Sequence, residues 1–174
     1  MNFLKNMFNR SDDRAEVRPL YAAIIAEARK PEWYEQGSVA DSIDGRFDMV
    51  SAILALVLIR MESLRDDAHA PSSLLTELFV SDMDGQLREL GIGDIVVGKH
   101  IGKMMGALGG RLGAYRDVFE GKAVLKEVLM RNLYRGDAPS PDALIFVEQL
   151  LRDRHAQLGQ ASLTDLRAGK LSCA

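Results

Sequence analysis

The feature that most constrains the fold is an apolar stretch that runs from Met49 to Ile59 and is interrupted by Ser51. It lies within a longer helical pattern, residues 44–65, whose apolar side chains fall on most sides of the helix. A transmembrane helix needs about 20 predominantly apolar residues, and this stretch is shorter. A helix that is apolar all round is typical of the centre of a bundle. The stretch therefore predicts a buried central helix.

Helical periodicity also dominates the rest of the chain, whereas strand signals are weak. The β-branched residues 95–97 are too few and too isolated to build a sheet. Apolar spacing and chain-breaking residues predict one further helix after Pro19 and another after an N-cap at Ser72 or Ser73. They also predict helices over residues 94–121, 125–133 and 140–158, and a short helix over residues 163–167. Residues 33–37 look turn-like, and the clearest helix start is Ser140, an expected N-cap followed by Pro141. We predict an all-α, single-domain bundle of about six or seven helices with no sheet.

Composition narrows the class of function. The chain has 174 residues, enough for one domain with a substantial core, and a net charge of -3. Because a general nucleic-acid binder normally shows a basic excess, we expect no nucleic-acid specificity. The single cysteine, Cys173, can form neither an internal disulfide nor a cysteine-based zinc site. The first residues lack the apolar core and cleavage site of a secretory signal, so we expect a cytoplasmic protein.

Two aspartate clusters are the main candidates for chemistry. Asp41, Asp44 and Asp48 would share one face of a helix, and Asp82 and Asp84 form a second cluster. Such carboxylates could hold a hard cation, but aspartate at a helix start also caps free N–H groups, and Arg46 lies close in sequence. The sequence shows no glycine-rich phosphate loop and no nucleophile elbow. We therefore expect a protein that is not an enzyme and needs no cofactor or metal, with a metal-dependent enzyme as the minor alternative.

Glycines recur at every fourth position of the helix predicted over residues 94–121, at Gly98, Gly102, Gly106 and Gly110. Each interior glycine costs a helix about 0.8–1 kcal/mol relative to alanine. Positions four apart drift only about 40° around a helix, so these glycines form one smooth ridge. The ridge permits close approach of another backbone, from within the bundle or from a partner helix. Internal packing is favoured for Gly110, and partner contact for Gly102 and Gly106.

The N-terminal residues form a short amphipathic pattern. Phe3, Leu4, Met7 and Phe8 fall on one helical face, which is typical of a helix that lies on a membrane surface. Acidic residues follow directly and oppose contact with anionic lipid. A frayed end and a helix docked on the bundle are the alternatives. We treat residues 1–15 as an amphipathic tail, and a membrane-surface interaction module remains an alternative function.

Several ordered motifs resemble the ubiquinol–cytochrome c chaperone family. They cover roughly residues 20–135 and comprise Trp33-Tyr34 with Gly37, the stretch from Val39 to Met49, Leu78 to Asp84, Leu87 to Asp94, Val97-Gly98-Lys99, Gly110-Arg111 and Ala114-Tyr115. Their combination is specific, although each piece alone is weak. The glycines at 102 and 106 depart from the family pattern, where larger or charged residues are expected.

The resemblance implies a chaperone that binds newly made cytochrome b and assists assembly of the cytochrome bc1 complex. It also implies an all-helical domain over residues 16–174. Mitochondrial relatives act with a small partner protein and the ribosome, and we expect this chain to resemble a bacterial, cytoplasmic version on the inner face of the inner membrane. The candidate partner-binding residues are Gly98, Gly102, Met105, Gly106, Trp33, Tyr34, Asp82, Asp84 and Lys99.

Overall fold

The computed structural model describes residues 14–89 and 94–172, and all of its regular elements there are helical. The helices are α1 (Arg18–Ala28), α2 (Pro31–Glu35), α3 (Ile43–Ser63), α4 (His69–Glu89), α5 (Asp94–Phe119), α6 (Leu125–Asn132), α7 (Pro141–Gln160) and α8 (Leu163–Arg167). A 3-10 turn, Arg65–Ala68, joins α3 to α4. The predicted all-α bundle is therefore confirmed.

Helix α3 is the central helix that the apolar stretch predicts. Every residue from Asp48 to Leu58 is buried, and α3 packs against α1, α4, α5 and α7. Its first turn is capped by Ser42, whose hydroxyl accepts a hydrogen bond from the Gly45 N–H at 3.1 Å. A cap of this kind satisfies one of the free N–H groups at a helix start.

Residues 33–37, expected to be turn-like, are mostly helical instead. Trp33 lies in α2, is fully buried, and donates from its indole nitrogen to the Glu27 carbonyl at 2.9 Å. Gly37 closes the segment tightly, since a Cβ there would lie 2.5 Å from both the Trp33 carbonyl oxygen and a Val147 methyl carbon. The Tyr134 hydroxyl also donates to the Gly37 carbonyl at 2.7 Å. Tertiary packing, which local sequence does not encode, holds this short helix.

Helix starts follow the proline signals. Ser140 caps α7 as predicted, and its hydroxyl accepts from the Ala143 N–H. The predicted cap of α4 at Ser72 or Ser73 is wrong, because the helix begins at His69 and Pro71 occupies its first turn. Proline is tolerated there because its missing N–H has no helical partner to lose. Both serine hydroxyls instead donate back to the His69 carbonyl.

Candidate functional site

The glycine ridge of α5 faces outward. Gly98, Gly102, Gly106 and Gly110 are exposed, and a Cβ built at any of them meets no described atom within 4 Å beyond its chain neighbours and the adjacent backbone of its own helix. The buried row of the same helix is a different one, formed by Leu108, Arg111, Tyr115 and Val118. Internal packing of Gly110 is therefore wrong: the glycines lie beside the packed row rather than in it.

An apolar groove opens where α1, α3, α4 and α5 meet. It has a volume of about 140 Å³ and is lined by Ile25, Arg29, Ile43, Arg46, Phe47, Val50, Met83, Gln86 and Met104. Ile43, at its edge, is 64% exposed although it is a large apolar side chain. The Phe47 ring packs against Phe79 below, with 5.9 Å between the ring centroids. An apolar cavity of about 150 Å³ holds benzene, so the groove has room for one large apolar side chain.

Groove and ridge lie on nearly opposite sides of α5. Met104 lines the groove, and it is two residues from both Gly102 and Gly106. Each residue turns an α-helix by about 100°, so a separation of two places side chains about 160° apart. Met105, the methionine predicted to contact a partner, is half-buried beside Met104. One partner helix cannot cover both surfaces at once.

Of the two candidate aspartates on α4, Asp82 joins two helices and Asp84 forms an ion pair within its own helix. The Tyr21 hydroxyl donates to the Asp82 carboxylate at 2.7 Å, which ties α1 to α4 on one side of the groove. Burial and this hydrogen bond raise the pKa of Tyr21 well above its ordinary value. Asp84 accepts from Arg88 one turn further along α4, at 2.7 Å.

The remaining candidates are scattered. The Tyr34 hydroxyl donates to the Ala28 carbonyl at 2.8 Å, and burial raises the pKa of Tyr34. Trp33 is buried in the core and presents no surface to a partner, whereas Lys99 is exposed next to the ridge. Phe3, Leu4, Met7 and Phe8, the expected membrane contacts, lie outside the described residues.

The first aspartate cluster is occupied by arginines. Asp48 is 1% exposed and accepts from Arg135 Nε at 2.5 Å and from Arg111 Nη2. Arg135 also binds Asp44, at 2.8 Å, and Arg46 binds Asp41, at 2.6 Å. Burial raises the pKa of the Asp48 carboxyl, and the hydrogen bond from Arg135 and the charge of Arg111 oppose that rise.

The carboxylates of this cluster are engaged by arginines. No group of three or more histidine, cysteine, aspartate or glutamate side chains within residues 14–89 and 94–172 is arranged to hold a metal ion. In the same ranges, no helix is both long and apolar enough to cross a bilayer. Asp48 joins α3 to Arg111 of α5, and Asp44 and Asp48 join it to Arg135 in the segment after α6.

Sequence reasoning missed the arginines of this network. Arg111 is 9% exposed, and its guanidinium lies 5.2 Å from the centre of the Phe47 ring. A signal was present, because Arg111 falls on the helical row of Leu108 and Tyr115, which is otherwise apolar. A charge on a buried row requires a buried partner. Arg135, which lies in the loop after α6, carries no comparable signal.

Comparison with known proteins gives two matches. The family model described as ubiquinol–cytochrome C chaperone matches residues 35–173. The crystal structure of the Cbp3 homolog from Brucella abortus is similar to this chain, with a TM-score of 0.80 and 30% sequence identity. That alignment covers 99% of this chain and 97% of the Brucella chain. Comparison with curated protein sequences gives no match.

Proposed function

Because the chain belongs to the ubiquinol–cytochrome c chaperone family, we propose that it binds newly made cytochrome b and assists assembly of the cytochrome bc1 complex without catalysis. The chaperone role itself follows from the family. The client and the complex are the further step. We place the protein in the cytoplasm, at the inner-membrane surface where such a client is inserted, with the ribosome as a further contact.

The observation that carries the proposal is the apolar groove. A polytopic client exposes helices of about 20 apolar residues until its insertion is complete. The groove offers one such segment an anchoring pocket that is open to solvent and bordered by the exposed Ile43. Met83 and Met104 line it, and methionine adapts to apolar side chains of different shape. Arg29 and Arg46 can cover the rest of the segment with their aliphatic stems.

The test compares two exposed isoleucines. Ile43 borders the groove, whereas Ile145 lies on α7, away from it, and the two are 64% and 63% exposed. A photocrosslinking amino acid at each position, followed by mass spectrometry of the trapped proteins, should capture cytochrome b at residue 43 alone. Equal capture at both positions, or capture at 145 alone, contradicts binding in the groove.

A genetic arm uses the same pair. In a strain that lacks the chromosomal gene, Ile43→Glu should fail to restore cytochrome b and bc1 levels, because a carboxylate cannot enter an apolar pocket unpaired. Ile145→Glu should restore them. Both variants should fold normally, since surface substitutions usually change stability by within about 0.5 kcal/mol. Normal bc1 levels in the strain without the gene would refute the proposed function itself.

The ridge is tested separately, since it lies on the other side of α5. Gly102→Leu and Gly106→Leu add bulk into open space, so the melting temperature should not fall. If the client segment binds only in the groove, capture at residue 43 should be unchanged in both variants. A drop in capture with unchanged stability would transfer client contact to the ridge.

A further inference from the structure

A second cavity lies on α5 where the end of α6 packs against it. It has a volume of about 400 Å³ and is lined by Ala107, Gly110, Arg111, Ala114, Arg131 and Asn132. Its α5 wall is made of three small residues, Ala107, Gly110 and Ala114, together with Arg111. The wall formed by α6 contributes a second arginine and an amide.

Two hydrogen-bond donors of this cavity lack a partner. Arg111 Nη1 and Asn132 Nδ2 are buried, and neither has an acceptor within the described chain. The other nitrogens of Arg111 are engaged, because Nη2 donates to Asp48 and both Nη2 and Nε lie 3.4 Å from the Asn132 carbonyl oxygen. Buried donors are costly to leave unpaired. Both donors belong to residues that line the cavity, and each lacks an acceptor atom.

The charge of the surroundings selects the kind of acceptor. Of the two arginines that line the cavity, Arg111 forms an ion pair with Asp48, so the charge of Arg131 decides which acceptor the cavity attracts. Asp48 is sealed in the core by its two arginines, so it does not face an incoming anion. Arg131 is exposed at the cavity and makes no ion pair or hydrogen bond that the described residues supply.

We propose that this cavity binds a carboxylate group. A carboxylate brings one negative charge and two acceptor oxygens, which match the positive charge of Arg131 and the two unpaired donors. Hydrogen bonds between a guanidinium and a carboxylate are among the strongest in proteins. The carboxylate belongs to a small organic acid or to the C-terminus of a bound polypeptide, and the chemistry at the cavity is the same in both cases.

The experiment follows the Asn132 side-chain amide of the full chain by nuclear magnetic resonance while sodium acetate is added at constant ionic strength. The expected result is a saturable shift of that resonance, with sodium chloride giving none. A linear response, or the same response to chloride, means that salt screening alone is seen and overturns the proposal. Inorganic phosphate that binds as tightly as acetate also overturns it, because the cavity would then not be selective for a carboxylate.

Two pairs of variants locate the site. Gly110→Leu fills the cavity without touching the charged groups, and Gly102→Leu places the same bulk two turns earlier on the same exposed ridge. Arg131→Gln removes the exposed cation, and Lys126→Gln removes a neighbouring one from α6 that does not line the cavity. Acetate affinity should fall about tenfold or more in Arg131→Gln, the usual effect of losing a charged hydrogen bond. It should fall in Gly110→Leu as well, because the leucine side chain occupies the space of the acetate. Equal loss in the second members refutes the site.

A last arm separates the two sources of the carboxylate. A short peptide with a free C-terminus is compared with the same peptide amidated at its C-terminus, each in competition with acetate. Displacement by the free acid alone assigns the cavity to a polypeptide terminus. Displacement by neither peptide assigns it to a small organic acid. Displacement by both peptides overturns the proposal, because the carboxylate would then be dispensable.

Discussion

Replacing exposed glycines of α5 by alanine should stabilise the protein. Gly102 and Gly110 are helical and exposed, and an added Cβ at either position meets no described atom within 4 Å beyond its chain neighbours and the adjacent backbone of its own helix. Alanine in a helix interior is favoured over glycine by about 0.8–1 kcal/mol, chiefly because it restricts the unfolded chain. The open space around both positions removes the steric penalty that can oppose this gain.

The two effects should add. The positions are eight residues apart, which is about 12 Å along the helix axis at 1.5 Å per residue. Substitutions more than about 10 Å apart that share no partner are usually additive. The double variant should therefore gain about 1.6–2 kcal/mol in the free energy of unfolding. For a chain of this size that corresponds to a rise in melting temperature of about 3–8 °C.

Unfolding by urea measures the free energy of unfolding, and unfolding by heat measures the melting temperature. Far-ultraviolet circular dichroism follows the loss of helix in both experiments. The slope of the free energy of unfolding against urea concentration should be unchanged, so that the shift in the urea midpoint reports stability alone. Gly45→Ala is the control of opposite sign, because a Cβ there would lie 1.9 Å from the Ala40 carbonyl oxygen, and it should destabilise strongly. A loss of stability in Gly102→Ala or Gly110→Ala would show that the ridge is packed and refute its assignment as an open surface.

Asp48→Ala should lower the free energy of unfolding, measured with denaturant, by about 3–5 kcal/mol, because it leaves Arg111 as an uncompensated buried charge. Asp41→Ala breaks only an exposed ion pair, so it should change the free energy of unfolding little. Burial lowers the pKa of His155 below 6.5, so the unfolded chain takes up this proton at higher pH than the folded chain. Stability should fall as the pH drops from about 6.5 through the folded pKa and level off below it. In a pH series of unfolding midpoints, His155→Phe should remove that part of the slope while keeping a ring stacked on Phe119.

The fold was predictable wherever one short segment carries the whole signal. The apolar stretch of α3 has no polar side to turn to solvent, so it had to be central. Ser140 and Pro141 fix the start of α7 because capping involves atoms only three residues apart. The helix at Trp33 was not predictable, because it is held by Glu27, Val147 and Tyr134, which lie on other elements.

The candidate site was predictable only in part, for a geometric reason. The four-residue spacing of the glycines fixes how they lie relative to one another, but not which side of α5 meets the bundle. That choice depends on where Leu108 and Tyr115 find partners on α3, α4 and α6. The groove was missed because its lining comes from α1, α3, α4 and α5, and its volume exists only once they pack.

The groove and the cavity that border α5 differ in chemistry, and this difference separates their proposed roles. The groove at Met104 is apolar and has room for a large side chain, whereas the cavity at Gly110 is bordered by arginines and unpaired donors. An apolar anchor in the first and a carboxylate in the second do not compete for the same atoms. Arg111 nevertheless connects them, because its guanidinium lies at the Asp48 pair beneath the cavity and over Phe47, which lines the groove. A carboxylate bound at Arg111 would act on the groove through that ring, so acetate should change the capture of client at residue 43 in the intact protein but not in Gly110→Leu.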